Sequence, residues 1–260
     1  MSLALTRGVR AALFLVAFAG CGDAATQPSP GGPSGGPPND ASAYVAAGRV
    51  TDAAGRPIAD AEVVANNQLL EASNVVGRTG ADGRYRLQLP AIPVTWAMSA
   101  SMLRTYDGTA YRLPLTVDDA STFAGNRGAV RNFTWHVQGA RPDGGWYGSP
   151  VIAYHDPEAY DLVMDDVELT LTPAAPLIDG SAGQTIVQHL RATADGDAVV
   201  DVPLGRYTIS AREAPASGAP RALLIRPRNT GAYARSLTTS FAAPNGTNLD
   251  IQRIVVEVKR

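Results

Sequence analysis

The stretch that decides the fold is Thr79-Gly-Ala-Asp82-Gly83-Arg-Tyr85-Arg-Leu87-Gln-Leu89. It contains an Asp-Gly pair, which tolerates the positive φ that a tight turn between two strands needs. After the turn, the apolar residues Tyr85, Leu87 and Leu89 occupy alternate positions, which is the period of a strand with one buried face. The segment therefore predicts a hairpin turn followed by a half-buried β-strand with Tyr85 and Leu87 in the core.

The same alternation recurs in Val167–Thr172, Tyr207–Arg212 and Ile254–Lys259. Asp-Gly and Asn-Gly pairs separate such runs at 107–108, 195–196 and 245–246. No segment shows the sustained 3.6-residue apolar stripe of an amphipathic helix, although a short helix over 157–164 would fit the pattern. Many short strands with frequent tight turns predict an all-β protein built from β-sandwiches.

A weak internal repeat in the sequence indicates two such sandwiches. Residues 79–100 and 193–211 both place an Asp-Gly turn, a strand, a proline and a second strand that ends in Ser-Ala. The length of the chain after Tyr44 fits one large or two small domains. We therefore predict two β-sandwich domains, 44–141 and 142–260.

The first of these domains resembles a known family. The residues that carry the resemblance are Gly48-Arg-Val50, the Gly-x-Pro turn Gly55-Arg-Pro57 with the following Ala61-Glu-Val63, and Thr79-x-x-Asp82-Gly83-x-Tyr85. This pattern resembles the carboxypeptidase regulatory-like family. The resemblance implies a transthyretin-like (prealbumin-like) seven-stranded sandwich and a role as an accessory or binding module, and it brings no catalytic residues. Domain 142–260 resembles no family that its residues identify.

The first residues are typical of an export signal. Arg7 and Arg10 precede the short apolar run 11–19, which is too short to span a bilayer as a helix. The following Phe18-Ala-Gly-Cys21 resembles the lipobox of bacterial lipoproteins, with cleavage of residues 1–20. The resemblance implies acylation of Cys21, attachment to a membrane of the cell envelope through that lipid, and, with Gly22 next, sorting to the outer membrane. The alternative is an ordinary signal peptide that leaves Cys21 as a free thiol.

The cysteine count favours the lipid interpretation. Cys21 is the only cysteine in the chain, so it has no disulfide partner, although an exported compartment would permit one. The residues that follow, 21–43, are mainly Pro, Gly, Ser, Asn and Asp. Such a segment cannot bury enough apolar surface to offset the entropy of ordering, which predicts a disordered tether between the membrane and the folded part.

Composition excludes one class of partner. Hydrophobic residues make up 45% of the chain, enough for a core, and charged residues only 18%. After removal of a signal that carries two arginines and no acids, 20 basic and 24 acidic residues remain, a formal charge of −4. Because a nucleic-acid binder needs a basic surface to replace phosphate counterions, we expect no nucleic-acid partner.

The catalytic patterns we looked for do not occur in the sequence. The histidines His136, His155 and His189 lie far apart and none belongs to a metal-binding spacing such as His-Glu-x-x-His. There is no Gly-x-Ser-x-Gly elbow, phosphate-binding glycine loop or dinucleotide fingerprint. The acidic stretch 156–166 lacks the alternating spacing of a calcium loop, so a solvated loop is preferred to a calcium site. We therefore predict no enzyme, no cofactor and no metal.

Four aromatic residues are the candidate ligand-binding residues: Trp146, Tyr147, Tyr154 and Tyr160. The first two lie in the glycine-rich segment 144–148, where exposed rings could stack on sugars. The alternative is that Trp146 is buried between the two domains, since burying an indole contributes a few kcal/mol. The sequence thus predicts a non-catalytic binding module for a glycan or peptide, with an assembly subunit of an envelope complex as the alternative and an unrecognised hydrolase as a third interpretation.

Overall fold

A computed structural model describes residues 41–242 and 252–260. In these ranges the chain is built from β-strands, and the only helical elements are two 3₁₀ turns, Gly125–Arg127 and Met164–Asp166. None of the helices there has the length and apolarity needed to cross a bilayer. The predicted all-β fold class is confirmed, whereas residues 157–163 form turns and no helix. The signal peptide, Cys21 and all but the last residues of the tether lie outside the described residues.

The first half of the chain forms one sheet. Its strands are β1 (Val45–Asp52), β2 (Glu62–Asn67), β3 (Val75–Arg78), β4 (Arg84–Gln88), β5 (Thr95–Tyr106), β6 (Thr109–Val117), β7 (Phe123–Ala124), β8 (Ala129–Val130) and β9 (Phe133–Trp135). The strands are ordered β3-β2-β5-β6-β9-β1-β4, with β7 paired to β5 and β8 to β1. Seven strands therefore form the main path, as the predicted sandwich requires.

The second half forms a separate sheet. Its strands are β10 (Ser149–His155), β11 (Val167–Pro173), β12 (Ile186–His189), β13 (Arg191–Thr193), β14 (Gly196–Val202), β15 (Arg206–Glu213), β16 (Arg221–Pro227), β17 (Leu237–Ser240) and β18 (Ile254–Lys259). Their order is β12-β11-β15-β16-β18-β10-β14-β13, with β17 paired to β15.

The two sheets share one topology. Six strands of the second sheet occupy the same positions in the strand order as six strands of the first. In the order β1, β2, β4, β5, β6 and β9, their counterparts are β10, β11, β14, β15, β16 and β18. The directions also agree, because β1 runs parallel to β9 as β10 does to β18, and the other pairs along both paths are antiparallel. The repeated sequence signals fall on equivalent elements, since the Asp-Gly turns at 82–83 and 195–196 lead into β4 and β14. The weak internal repeat in the sequence therefore corresponds to a duplicated architecture.

Each sheet folds over its own core. In the first half, a Cβ at Gly77 on β3 would overlap the side chain of Leu87 on β4, so the two ends of the path face each other. Between them lie buried rings, of which Trp96, Tyr111 and Phe133 are fully buried. Tyr85 and Leu87 are both about 5% exposed, as the alternation predicts. Burying these side chains is the main favourable contribution to folding.

The two halves pack against each other. The Tyr111 hydroxyl donates to the carbonyl of Phe241 at 2.8 Å in buried surroundings. The Tyr106 hydroxyl donates to the carbonyl of Pro176 at 2.7 Å and accepts from the Arg206 N–H at 3.0 Å. The described residues, 41–242 and 252–260, belong to one compact unit with a continuous buried cluster. The domain division at 141–142 stays a prediction.

Candidate ligand-binding site

The segment between the two sheets forms a small hairpin, residues 139–148. The Tyr147 N–H donates to the carbonyl of Gly139 at 2.9 Å, and Ala140 pairs with Trp146. Gly144 and Gly145 at the tip have φ of 94° and 81°, which glycine adopts without the clash that a Cβ would cause. The Gly-Gly pair closes the hairpin and places Trp146 directly after the turn.

A carboxylate from the second sheet holds the base of this hairpin. Asp201 accepts from the Gly139 N–H at 2.8 and 2.9 Å and from the Gly148 N–H at 3.0 Å. Asp201 has φ of 59°, in the left-handed region that aspartate enters more readily than most residues. A Cβ at Gly148 would overlap the carbonyl carbon of Asp201 and lie 2.7 Å from the nitrogen of Val202. Sequence analysis missed Asp201, because nothing local links it to a loop more than fifty residues away.

This arrangement leaves the side chain of Trp146 exposed to solvent. Its side chain is 39% exposed, and the guanidinium carbon of Arg191 lies 5.1 Å from the centroid of the ring. The ring borders a shallow depression of about 600 Å³, within the size range of ligand pockets. Pro150, Arg191, Asp195 and Val200 also line it. The structure thus places Trp146 at the surface and not in the junction between the halves.

Tyr147 lies on the opposite side of the hairpin. Its ring stacks on His136 with centroids 4.5 Å apart and an interplanar angle of 20°. The guanidinium carbon of Arg141 lies 5.4 Å from the centroid of the Tyr147 ring, and Trp135 lines the same small pocket as Tyr147. Successive residues of an extended segment point to opposite sides, which separates Tyr147 from Trp146. Tyr147 packs at the end of the first sheet, away from the depression.

Tyr154 lies on the same side of the second sheet as the depression. Its hydroxyl donates to the carbonyl of Asp195 at 3.2 Å, and Asp195 also lines the depression. The guanidinium carbon of Arg228 lies 3.5 Å from the centroid of the Tyr154 ring. Tyr160 is 83% exposed on the 156–163 loop, and no ring contact in the described part joins it to the other three aromatic residues. The structure therefore places Trp146 at the depression and Tyr154 against Asp195 at its edge, with no ring contact between the two in the described part of the chain, and leaves Tyr147 and Tyr160 elsewhere.

A buried ion pair lies next to Tyr154 on the outer face of the second sheet. Glu257, 2% exposed, accepts from Arg226 at 3.1 and 3.2 Å and from the Asn229 N–H at 3.1 Å. Burial by itself would raise the pKa of the Glu257 carboxyl, but these donors hold its pKa below the ordinary value of 4.5. The pair fixes the loop after β16 against the sheet.

Tyr233 and Asp156 complete this network. The Tyr233 hydroxyl donates to Asp156 at 2.6 Å. Burial and that hydrogen bond raise the pKa of the Tyr233 phenol. The same hydroxyl and the Glu158 N–H hold the pKa of Asp156 below its ordinary value of 3.8. Asp156 thus serves the loop structure, and Asp161 in the same acidic stretch pairs with Arg260.

The three histidines lie in different places. His136 stacks on Tyr147, whereas the Nδ1 atom of His155 lies 2.9 Å from the carbonyl oxygen of Asp156. His189 lies beside Asp165 and Glu168. Across residues 41–242 and 252–260, no group of three or more His, Cys, Asp or Glu side chains is arranged to hold a metal ion.

Residues 46–124, from β1 to the end of β7, match the family model described as the carboxypeptidase regulatory-like domain. This segment is a carboxypeptidase regulatory-like domain. The match confirms the resemblance seen at Gly48, Pro57 and Tyr85. The domain occupies most of the first sheet, while the Trp146 hairpin and the second sheet lie outside the matched residues. The candidate site is therefore not part of the carboxypeptidase regulatory-like domain itself.

Several solved structures are similar to this chain at low identity. The Bacillus anthracis TIE protein is 15% identical, with 83% of this chain and 34% of that one covered and a TM-score of 0.32. The Streptococcal ancillary pilin is 9% identical, with 83% of this chain and 62% of that one covered and a TM-score of 0.26. A C-terminal fragment of the pilus adhesin SpaC from Lactobacillus rhamnosus GG is 13% identical, with 84% of this chain and 98% of that one covered and a TM-score of 0.23. The chain spans about a third of the first protein and less than two thirds of the second.

No curated protein matches the sequence. What this chain binds must therefore be inferred from its own residues.

Proposed function

We propose that the protein is a lipid-anchored, non-catalytic binding module of the bacterial cell envelope whose ligand surface surrounds Trp146. The observation that supports this is an indole left 39% exposed on a hairpin that Asp201 fixes at its base. A large apolar ring normally gains free energy by burial in the core. A ring held out and already ordered loses little further entropy when it meets a ligand, which favours binding.

The chemistry of the depression fits a glycan or a peptide. The flat apolar face of an indole matches the C–H face of a pyranose ring or an apolar side chain. The Asp195 carboxylate adds an acceptor for hydroxyl or amide donors, and Arg191 adds a planar donor. The carboxypeptidase regulatory-like domain next to it supports an accessory role in place of a catalytic one.

Replacing Trp146 with alanine is expected to weaken ligand binding about 30-fold. A buried aromatic contact at the centre of a binding surface typically contributes about 2 kcal/mol or more. A glycan array with the purified chain would find the ligand, and titration calorimetry would measure its affinity. Tyr160→Ala, which removes an even more exposed ring outside the depression, is the matched control and should bind normally. Equal affinity of Trp146→Ala and wild-type protein would contradict the proposed ligand surface.

The anchor is proposed to be lipid on Cys21, with Gly22 directing the protein to the outer membrane. Each buried CH₂ of an acyl chain contributes about 0.8 kcal/mol, so several chains give durable attachment. Cys21→Ser is therefore expected to move the protein from the membrane fraction to the soluble fraction, as followed by cell fractionation and immunoblotting. Ser29→Ala in the same segment should leave the distribution unchanged. Membrane attachment that survives Cys21→Ser would refute the lipid anchor.

An assembly subunit is the second candidate function, and an edge of the first sheet favours it. Strand β3 ends the strand path, and Val76 on it is 58% exposed. Leu69 and Leu70, in the turn that precedes β3, are 66% and 51% exposed. Exposed strand edges can pair with a strand of another chain. Co-purification with an envelope complex that Trp146→Ala leaves intact, and that Val76→Lys abolishes, would select this function.

A hydrolase has the least support. The histidines of the described part lie apart, and two carboxylates near them have structural partners, because Asp156 accepts from the Tyr233 hydroxyl and Glu168 pairs with Arg212. Hydrolase activity abolished by one histidine or acidic substitution would overturn the non-catalytic proposal.

A further inference from the structure

One row of residues crosses the outer face of the second sheet from edge to interior. In the strand register, Arg191 on β13 lies opposite Ala198, Ala198 opposite Ile152, and Ile152 opposite Val255. The Arg228 N–H bonds to the carbonyl of Val255, which continues the row just beyond the end of β16. Arg191 and Arg228 thus lie four strand spacings apart along the backbone, about 19 Å.

This row faces away from the core. Val151 and Ala153 on β10 belong to the continuous buried cluster, whereas Ile152 and Tyr154 alternate with them and point to the other face. The guanidinium of Arg228 lies over the Tyr154 ring, and Arg191 lines the depression beside Trp146. The two residues in the middle of the row, Ala198 and Ile152, are 0% and 2% exposed, so each arginine lies with its aromatic ring at one end of the row.

Each of the two arginines is stacked on a ring and has no acidic partner. Arg191 lies over Trp146 at 5.1 Å and Arg228 over Tyr154 at 3.5 Å. Neither forms an ion pair with a carboxylate in the described part of the chain. Stacking fixes the plane of a guanidinium and leaves its N–H edge available for a bidentate acceptor.

Most of the acidic groups on this face already have partners. The Asp201 carboxylate accepts two backbone N–H groups of the hairpin, and Glu257 is neutralised by Arg226. Asp195, at the turn between β13 and β14, is the acidic side chain that lines the depression besides Asp201. A chain with a net negative charge therefore presents two ordered, unpaired cations on one face.

We propose that this face binds an acidic polysaccharide whose pyranose rings carry carboxylates. The inference rests on the proposed function and names the class of its ligand. Carboxylates of the polymer pair with Arg191 and Arg228, and a sugar ring stacks on Trp146. Two cations at opposite ends of one row of residues suit a repeating anion and not a single small one.

The test compares charged and uncharged forms of one polymer. Binding of the purified full-length chain to polygalacturonate and to alginate is measured by titration calorimetry, beside fully methyl-esterified polygalacturonate. The charged polymers should bind at least tenfold more tightly than the ester, and added salt should weaken that binding. Arg191→Gln and Arg228→Gln should each weaken it about tenfold, the usual loss for one charged hydrogen-bond partner. Arg86→Gln, on the exposed side of β4, is the matched control and should bind normally.

Three outcomes would overturn the inference. If the ester binds as tightly as the charged polymers and only Trp146→Ala loses binding, the proposed binding module stands but its ligand is not acidic. If neither charged polymer binds, or if both arginine variants bind normally, the acidic class is wrong. If phosphatidylglycerol vesicles bind through the same arginines and the polymers do not, the face contacts lipid. Thermal melting of each variant shows whether the fold is intact.

Discussion

Gly48→Ala is expected to lower the free energy of unfolding by about 3 kcal/mol, the upper end of the usual cost of overpacking. Gly48 is buried in β1, and a Cβ there would overlap the carbonyl oxygen of Arg131 and lie 2.7 Å from its carbon. The same oxygen accepts the Tyr85 hydroxyl at 2.7 Å. A methyl group would therefore push the backbone before β9 away from β1 and remove a hydrogen bond of a buried phenol.

Urea denaturation of the purified chain measures this effect. Gly80→Ala is the matched control, because Gly80 is exposed and has no positive φ, and it should change the stability by less than about 0.5 kcal/mol. Tyr85→Phe removes the hydrogen bond and leaves the backbone in place, so it should cost about 1 kcal/mol. A Gly48→Ala protein as stable as wild type would show that β1 and the Arg131 backbone do not approach as described.

Glu257→Gln is expected to destabilise the second half by about 3 kcal/mol near neutral pH. Removing one member of a buried ion pair leaves the other charge without compensation. Here the Arg226 side chain, 24% exposed, would keep one carboxylate partner, the more distant Asp156 at 3.9 Å, beside the Gly231 carbonyl and the Tyr233 ring. The backbone N–H of Asn229 would also lose its charged acceptor. Glu62→Gln, at a partly exposed carboxylate near Arg78 and Arg112, is the matched control and should cost less than about 1 kcal/mol.

The pH dependence of this difference follows from the pKa of Glu257. Because its folded-state pKa lies below the ordinary value of 4.5, the carboxylate contributes its full stabilisation above that value. The contribution is lost as the pH falls through the folded-state pKa. Thermal melting from pH 7 to pH 3 should therefore show a constant gap between wild type and Glu257→Gln down to about pH 5, which narrows at lower pH. A gap that widens in acid would contradict the assigned pKa direction.

Local signals were sufficient to predict four of the strands, β4, β11, β15 and β18. Asp82-Gly83 forms the predicted turn, with φ of 74° at Gly83, and the alternation after it places Tyr85 and Leu87 in the core. The carboxypeptidase regulatory-like resemblance was also visible in the residues, because its turns and strand starts are set by neighbours in sequence. The equivalence of the two halves was only hinted at. Strand order depends on pairings between distant segments, such as β10 with β18, which no local pattern encodes.

The aromatic residues of the candidate site show the same limit. The glycine-rich segment pointed to Trp146 and Tyr147 as a pair, but the extended backbone turns them to opposite sides of the hairpin. Tyr154 reaches Asp195, at the edge of the depression, only because β10 lies beside β14, which follows the turn at Asp195. Asp201 accepts hydrogen bonds from the base of the hairpin, and no pattern in the neighbouring sequence predicted that role.

The sequence by itself determined that the chain makes β-strands, where the turns at 82–83 and 195–196 fall, and which domain family the first half contains. The signal peptide over residues 1–20 and the lipid on Cys21 stay predictions. Only the tertiary structure decided which rings stay exposed, which arginines stack on them, and which carboxylate holds the hairpin. The reason is physical. Turn and strand preferences arise from the backbone sterics of adjacent residues, whereas a surface is assembled from side chains that meet only when strands far apart in sequence pair.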